Sequence, residues 1–449
     1  MNRSGIRAAF QALLAKARNN PDYISGIAVA YISQALQILA QIFLVPLYIA
    51  QLGMRDFGTL MMFMTFVAGV NIVTTWSIGG ITRSFSDAAA FERFDLLRTR
   101  YAAAKYVFLG FGAFFLFVSA ALVLSVGHFV LSDSQHFDGT LILLVILGAA
   151  ALILLTIDNM VEIAALMAMK RLVVVWLLQI ESLAVFVVLV VAWLKSGGGI
   201  AGIFPCMAMG VIVSRLTVWI YWRQKQIGLR LKFLHNDVPG EARRLAAAFR
   251  DGYPAYSLIF AALQMDTLLV GFLGDPAMVG RYVLIWKIAE VGIFLLWRLS
   301  ENLQPDLLRA FATGDHARAM RLFRHGVAAM ALISLVAGIG YALLGQWAVG
   351  LWVGRDLVPD DALAYALAGA AVFWLGTARL SQIVAFTSGR LRGLIIVSGL
   401  ELLVRLGLSV GLFPVVGYLA PLIAVSVAHA LGCAWAYILI ARPVVRGDR

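Results

Sequence analysis

The feature that most constrains this chain is a series of about twelve apolar stretches, each long enough to cross a lipid bilayer. A helix needs about 20 mostly apolar residues to span the hydrocarbon core. Only 13% of the residues are charged, whereas a soluble domain has about 25%. We predict an all-α integral membrane protein, with spans near residues 24–50, 58–80, 105–127, 140–167, 172–194, 199–222, 252–273, 279–302, 322–345, 362–388, 393–413 and 418–441.

The positions of the basic residues support this count. If the N-terminus lies inside the cell, the inner segments hold 27 Lys and Arg residues, and the outer segments hold only Arg55, Lys195, Arg281 and Arg355. Cytoplasmic loops of membrane proteins are enriched in Lys and Arg. A missed or invented span would reverse this bias downstream, so we predict twelve helices with both termini in the cytoplasm. The same arrangement argues against nucleic acid as the partner of the basic residues, despite the net charge of +12.

The two halves of the sequence resemble each other. The runs QLGMRDFGTL and FLGDPAMVGRY both lie in the predicted outer turn between the first two helices of a half, and they begin 221 residues apart. Glu181 and Glu401 are separated by 220 residues, and each follows a basic inner turn. The shared offset favours an internal duplication.

This duplication predicts two lobes of six helices each. Because six is even, the second lobe enters the membrane in the same orientation as the first, which predicts a pseudo-two-fold axis along the membrane normal. We predict an N-terminal lobe at residues 1–223, a basic cytoplasmic linker at residues 224–250 and a C-terminal lobe at residues 251–449. In transporters with such repeats, the substrate binds between the repeats.

Ionisable residues inside the predicted spans are candidates for function, because a charge inside a membrane is costly and usually faces a cavity or a partner. Lys287 and Glu290 have helical pair spacing, as do Glu401 and Arg405, so each pair is also consistent with simple neutralisation. The candidates are Asp158, Glu162, Glu181, Arg215, Asp266, Lys287, Glu290, Arg298, Glu301, Arg379, Glu401 and Arg405.

Uncharged polar residues form a second group of candidates. Gln34, Gln37 and Gln41 share one face of the first helix, and Gln264 lies on the seventh. Such residues either line a cavity or form hydrogen bonds between helices, and the sequence leaves both readings open.

Several motifs are absent from the sequence. It contains no GxxxxGK[ST] loop, no HExxH and no CxxC, so it indicates no ATP-binding site, metal site or cofactor. No predicted outer loop exceeds about twenty residues, whereas membrane enzymes that act on sugars need large loops for their chemistry. We therefore expect a transporter without catalytic residues.

Three segments resemble the polysaccharide-exporter branch of the multidrug/oligosaccharidyl-lipid/polysaccharide exporter (MOP) superfamily, the Wzx-type O-antigen and exopolysaccharide flippases. The first helix ends in FLVPLYIAQLGMRDFGTL. The second half opens with QMDTLLVGFLGDPAMVGRYVLIWKIAE, and Pro305 is followed by RAFATGDHARAMRLFR. The resemblance covers nearly the whole chain.

The resemblance implies a flippase for an undecaprenyl-diphosphate-linked oligosaccharide in the bacterial inner membrane, working beside other polysaccharide-assembly proteins and coupled to a proton or sodium gradient. Arginine suits bidentate phosphate contacts. The residues expected to bind the diphosphate are Arg298, Lys287, Arg379, Arg215 and Arg405; those expected to couple an ion are Asp158, Glu162 and Asp266.

Three other functions compete with this reading. A multidrug or cation antiporter of the same fold would have a cavity lined mainly by acids. A peptidoglycan-precursor flippase would carry two further C-terminal helices. A membrane glycosyltransferase or polysaccharide polymerase would need a carboxylate cluster at an outer loop, where the sequence offers Asp356, Asp360 and Asp361.

Overall fold

The computed structural model describes residues 21–90, 93–131, 139–224, 238–312, 315–387 and 391–446. The described residues are almost entirely helical and contain no β-strand. The basic residues before residue 21 and residues 225–237 of the predicted linker lie outside this part of the chain.

Within the described residues, the first half contains five long helices. Helix α1 holds two of the predicted spans, which are separated at Gly53, where a φ of 80° interrupts the helix. A short 3₁₀ turn at Ile200–Gly202 precedes the last helix. The helices are α1 (Pro21–Ala90), α2 (Phe94–Leu131), α3 (Gly139–Ala168), α4 (Leu172–Lys195) and α5 (Ile203–Gln224).

Within the described residues, the second half contains seven helices, which correspond to the other six predicted spans. Its last span is divided into α11 and α12 by a π-helical turn, His429–Cys433. The helices are α6 (Val238–Leu273), α7 (Pro276–Ala312), α8 (His316–Val353), α9 (Ala362–Thr387), α10 (Leu391–Val416), α11 (Ala420–Ala428) and α12 (Ala434–Arg446).

Several helices extend beyond the predicted spans. Helix α2 begins at Phe94, although its predicted span starts at residue 105, and α6 begins at Val238, inside the predicted linker. A helix can continue past the hydrocarbon layer, where polar residues cost little, so hydropathy detects only its apolar part. By length and composition, seven stretches within the described residues can cross a membrane; one of them, Leu391–Ala441, contains two predicted spans.

The chain forms two compact units. The first contains most of the first half, and its core between α3, α4 and α5 includes Ile163, Leu178 and Val218. The second contains the chain from Arg250 onward together with Tyr48–Ile72. Its cores include Phe323 and Leu380, and, in a separate cluster, Leu394 and Tyr437. The domain boundaries predicted from the sequence remain a prediction.

The two turns that resemble each other in sequence touch inside the second unit. A Cβ added at Gly58 would overlap the Pro276 carbonyl and lie 2.9 Å from the Gly280 nitrogen. A Cβ added at Gly280 would lie 2.8 Å from the Met54 carbonyl oxygen. Gly58 and Gly280 belong to equivalent turns of the repeat, so the contact is reciprocal. Such a reciprocal contact is expected if a pseudo-two-fold axis, as predicted from the sequence, passes between the turns.

Candidate functional site

A first cluster of buried charges joins α2, α3 and α5 in the first unit. Lys105 Nζ lies 2.5 Å from Asp158 Oδ1 and 2.9 Å from Glu162 Oε1. Arg215 forms an ion pair with the other oxygen of Asp158. Two cations therefore face two carboxylates, and the cluster is formally neutral.

Within this cluster, Glu162 accepts from three donors. Besides Lys105, the Tyr101 hydroxyl donates to Oε1, and the Trp222 indole donates to Oε2 at 3.1 Å. Glu162 is therefore hydrogen-bonded on both oxygens and ion-paired on Oε1, which leaves it less capacity for another cation. These contacts favour a structural role for Glu162 over the ion-coupling role predicted from the sequence.

Lys105 was counted among the 27 inner basic residues and was not among the candidate site residues. Its side chain is only 6% exposed and lies within α2. Lys105 stands at the polar edge of an apolar run, where a loop and a helix interior look alike. Asp158 and Glu162, four residues apart, were the available signal that a cation faces this side of α3.

A second cluster of buried charges joins α6 and α10 in the second unit. Arg405 is completely buried; its Nη2 donates to Asp266 Oδ2 at 2.6 Å and its Nη1 to Glu401 Oε1 at 3.3 Å. The predicted Glu401–Arg405 pair is therefore present. Asp266 and Arg405 are 139 residues apart, and their pairing could not be read from the spacing.

Residues from the last span complete the second cluster. His429 Nε2 lies 3.2 Å from Glu401 Oε1. The Tyr437 hydroxyl donates to Glu401 Oε2 at 2.7 Å and lies 2.9 Å from Ser398 Oγ. His429 and Tyr437 were not predicted from the sequence, although a lone histidine inside the apolar run VSVAHALG was a signal for the first of them.

Glu181 is a carboxylate in a predicted membrane span, and its surroundings differ from those of the two clusters. It lies in α4, is half-buried, and accepts a hydrogen bond of 2.8 Å from the Thr217 hydroxyl on α5. Within the part of the chain that the structure describes, Glu181 has no ion-pair partner. The close approach of α4 and α5 depends on Gly210, where an added Cβ would overlap the Ser182 carbonyl.

The pairs Glu181–Thr217 and Glu401–Tyr437 occupy equivalent positions in the two repeats. Each carboxylate accepts a hydroxyl from a residue 36 positions later in the chain. At the same offset of 220, however, Arg405 corresponds to Val185 and His429 corresponds to Met209. The repeat therefore retains the carboxylate and hydroxyl in both halves but supplies the compensating charges only in the second.

The remaining predicted cations lie on α7 and α9. Lys287 Nζ donates to Glu290 Oε2 at 2.8 Å, and both side chains are partly exposed. Arg298 is exposed on α7. Arg379 is buried on α9 with its guanidinium carbon 4.2 Å from the centroid of the Trp297 ring. The side chain of Glu301 lies outside the described residues.

The glutamines are distributed over two helices. Gln37 donates a 3.4 Å hydrogen bond to Gln179 on α4, which supports the interhelical reading for that residue. Gln34 and Gln264 are half-buried, and Gln41 is exposed. Whether any of the four lines a cavity remains a prediction.

The sequence matches no protein-family profile and no curated protein. Solved structures do share its fold. An inward-facing multidrug resistance MATE family transporter of the MOP superfamily aligns with a TM-score of 0.63 and 13% identity, over 93% of this chain and 98% of that chain. An outward-facing one aligns with a TM-score of 0.59 and 12% identity, over 96% of this chain and 94% of that chain.

A variant of the Vibrio cholerae MATE transporter VcmN also aligns, with a TM-score of 0.58 and 14% identity, over 95% of this chain and 99% of that chain. At these identities the likeness shows the fold. The prediction of an all-α membrane protein with about twelve helices and a transporter architecture is confirmed.

Proposed function

We propose that this protein is an ion-coupled exporter of small amphipathic organic cations that works by alternating access. The observation that carries the proposal is Glu181, a carboxylate in a membrane-spanning helix with a hydroxyl partner and no cationic side chain in the described part of the chain. The fold supports it, because structures with this fold include multidrug transporters in inward-facing and outward-facing conformations.

An isolated carboxylate in a membrane must have its charge compensated, since burying an unpaired charge is costly. A bound proton, a metal cation or a cationic group of the cargo would each compensate Glu181. Only one of these can do so at a time. Mutual exclusion at one carboxylate couples the export of a cationic molecule to the entry of an ion.

The other buried carboxylates are less suited to this exchange. Asp158 lies between Lys105 and Arg215, and Asp266 holds Arg405. A cation arriving at either site would have to displace an existing ion pair in a region of low dielectric. This comparison favours Glu181 over the ion-coupling residues predicted from the sequence.

The test is transport of ethidium into proteoliposomes with an imposed proton or sodium gradient. We expect wild-type protein to accumulate the dye, and Glu181→Gln to lower the initial rate at least about tenfold because the compensable charge is lost. Glu181→Asp is the matched control and should retain part of the rate. Equal rates for wild type and Glu181→Gln, or no gradient-driven accumulation by wild type, would contradict the proposal.

A second candidate is the lipid-linked oligosaccharide flippase implied by the sequence resemblance. The observation in its favour is a pair of arginines on neighbouring helices: Arg379 packs on Trp297, and Arg298 is the next residue of α7. Arg298 lies roughly 33 Å along α7 from Pro276, by the helical rise, which on the predicted topology is near the cytoplasmic end. A diphosphate head group would enter the transporter from that side.

The two candidates give opposite results in one pair of assays. If the protein is a bacterial inner-membrane flippase, a strain carrying Arg298→Gln should lose surface polysaccharide while the variant still reaches the membrane. Reconstituted wild-type protein should then flip an undecaprenyl-diphosphate-linked oligosaccharide and should not transport ethidium. If the strain carrying Arg298→Gln makes normal surface polysaccharide, the flippase candidate loses its support.

A further inference from the structure

The charges of the second cluster do not balance without His429. Arg405 contributes one positive charge, and Asp266 and Glu401 contribute two negative charges. All three side chains are almost fully buried, as is His429. With a neutral histidine the cluster carries a net charge of −1, and with an imidazolium it is neutral.

The contacts distribute Arg405 between both carboxylates. Its shorter contact, 2.6 Å, goes to Asp266, and the contact to Glu401 Oε1 is 3.3 Å. His429 Nε2 lies 3.2 Å from the same Glu401 oxygen. The other Glu401 oxygen receives only the neutral hydroxyl of Tyr437. The least compensated charge of the cluster therefore lies next to His429.

We infer that His429 is a proton-binding site and carries the proton that neutralises the Asp266–Arg405–Glu401 cluster. This inference goes beyond the proposed function, and it depends neither on the cargo nor on Glu181. An excess charge in a dry protein interior is unfavourable. Protonation of the adjacent imidazole neutralises this excess charge without any movement of the helices.

The groups of this cluster come from four helices and from the turn that holds His429. Asp266 extends from α6, and the buried Tyr282 lies on α7. Glu401 and Arg405 extend from α10, and Tyr437 extends from α12. Cys433, which belongs to the same π-helical turn as His429, is uncharged as a thiol.

The backbone at His429 is also unusual. The residue opens the π-helical turn His429–Cys433, the one such turn among the described residues. π-helical turns interrupt the regular hydrogen-bond ladder and occur frequently at functional sites. The charge of His429 therefore acts at the joint between α11 and α12.

The inference can be tested by ¹⁵N NMR of the imidazole in detergent-solubilised protein. The chain has six histidines, so replacing His128, His136, His235, His316 and His325 with Gln leaves His429 as the single reporter. At neutral pH we expect the imidazolium signature, with both ring nitrogens protonated. A neutral imidazole in this protein would overturn the inference.

Two further variants separate charge balance from local hydrogen bonding. Asp266→Asn and Glu401→Gln each remove one negative charge, so each should convert His429 to the neutral form. Lys287→Gln, in a pair elsewhere on α7, is the matched control and should leave the signature unchanged. An imidazolium that persists in Asp266→Asn would also overturn the inference.

If the variant with five histidines replaced fails to fold, the difference spectrum between wild type and His429→Gln gives the same signal. No gradient or cargo is present in these measurements. A failure of ethidium export would therefore leave this result unaffected, and the reverse also holds.

Discussion

At the scale of single residues, the second unit depends on Arg405. This completely buried guanidinium holds Asp266 and Glu401. Removing one partner of a buried ion pair leaves an uncompensated charge, which costs more than the pair itself contributes. The stability of the unit should thus be far more sensitive to Arg405 than to the partly exposed pair formed by Lys287 and Glu290.

We predict that Arg405→Met destabilises the protein by about 3–5 kcal/mol, the range for breaking a buried pair. Thermal unfolding in detergent, followed by tryptophan fluorescence, would measure this loss. Adding Asp266→Asn and Glu401→Gln to the same chain should recover most of it, because no buried charge is then left unpaired. Lys287→Met, the control, should cost about 1 kcal/mol or less.

Residue spacing identified only part of these sites. The Glu401–Arg405 pair follows from helical periodicity, since residues four apart share a face. Other ion pairs join different helices, such as Asp266 with Arg405 and Lys105 with Glu162. Their contacts depend on helix packing, which cannot be read from a single sequence. The contrast between Glu181 and Glu401 is visible in the sequence only once Thr217 and Tyr437 are known to be their partners.

At the scale of helices, glycines decide how closely neighbours approach. An added Cβ at Gly338 of α8 would lie 2.5 Å from the Gly369 carbonyl oxygen of α9, and a Cβ at Gly369 would overlap the Gly338 carbonyl. Small residues at a crossing let two backbones come into contact. The crossing of α8 and α9 therefore admits no side chain at either position.

We predict that Gly369→Leu costs at least about 1–3 kcal/mol, the usual penalty of overpacking. Fluorescence-detected size-exclusion chromatography after heating would show the loss as a lower aggregation midpoint. Gly340→Leu is a suitable control, because an added Cβ there meets no atom within 4 Å. A midpoint for Gly369→Leu equal to that of the control would show that the crossing can open without cost.

The crossing of α4 and α5 gives a functional prediction. Gly210→Val should push α5 away from the Ser182 carbonyl and weaken the Thr217–Glu181 hydrogen bond. Under the proposed function, gradient-driven ethidium transport should fall about tenfold, as expected for losing a hydrogen bond to a charged group. Gly411→Ala, a position with open space around it, should keep the wild-type rate.

At the scale of the whole molecule, the sequence was most informative about the fold. Long apolar stretches can satisfy their backbone polar groups in a bilayer only as helices, so the fold class follows from hydropathy. The membrane orientation is predicted from the basic loops and stays a prediction. The ends of helices such as α2 and α6 were harder to predict, because their polar extensions carry no hydropathy signal.

We predict that the α3–α4 turn faces the cytoplasm and that the end of α4 faces outward. In a background lacking Cys206 and Cys433, Lys195→Cys should react in intact cells with a membrane-impermeant maleimide. Lys170→Cys should react only after the membrane is permeabilised. Labelling of Lys170→Cys in intact cells would contradict both the orientation and the count of preceding spans.

The reciprocal contact between Gly58 and Gly280 has an evolutionary consequence. A single-copy ancestor of the repeat, with six helices, would have needed a second copy of itself to fill the same contact. Such a self-complementary patch is the isologous interface of a two-fold homodimer. Gene fusion would have made that interface intramolecular and freed the two copies to diverge. On this hypothesis, one copy would have acquired Arg405 and His429 beside its carboxylate, while the other kept Glu181 without such partners.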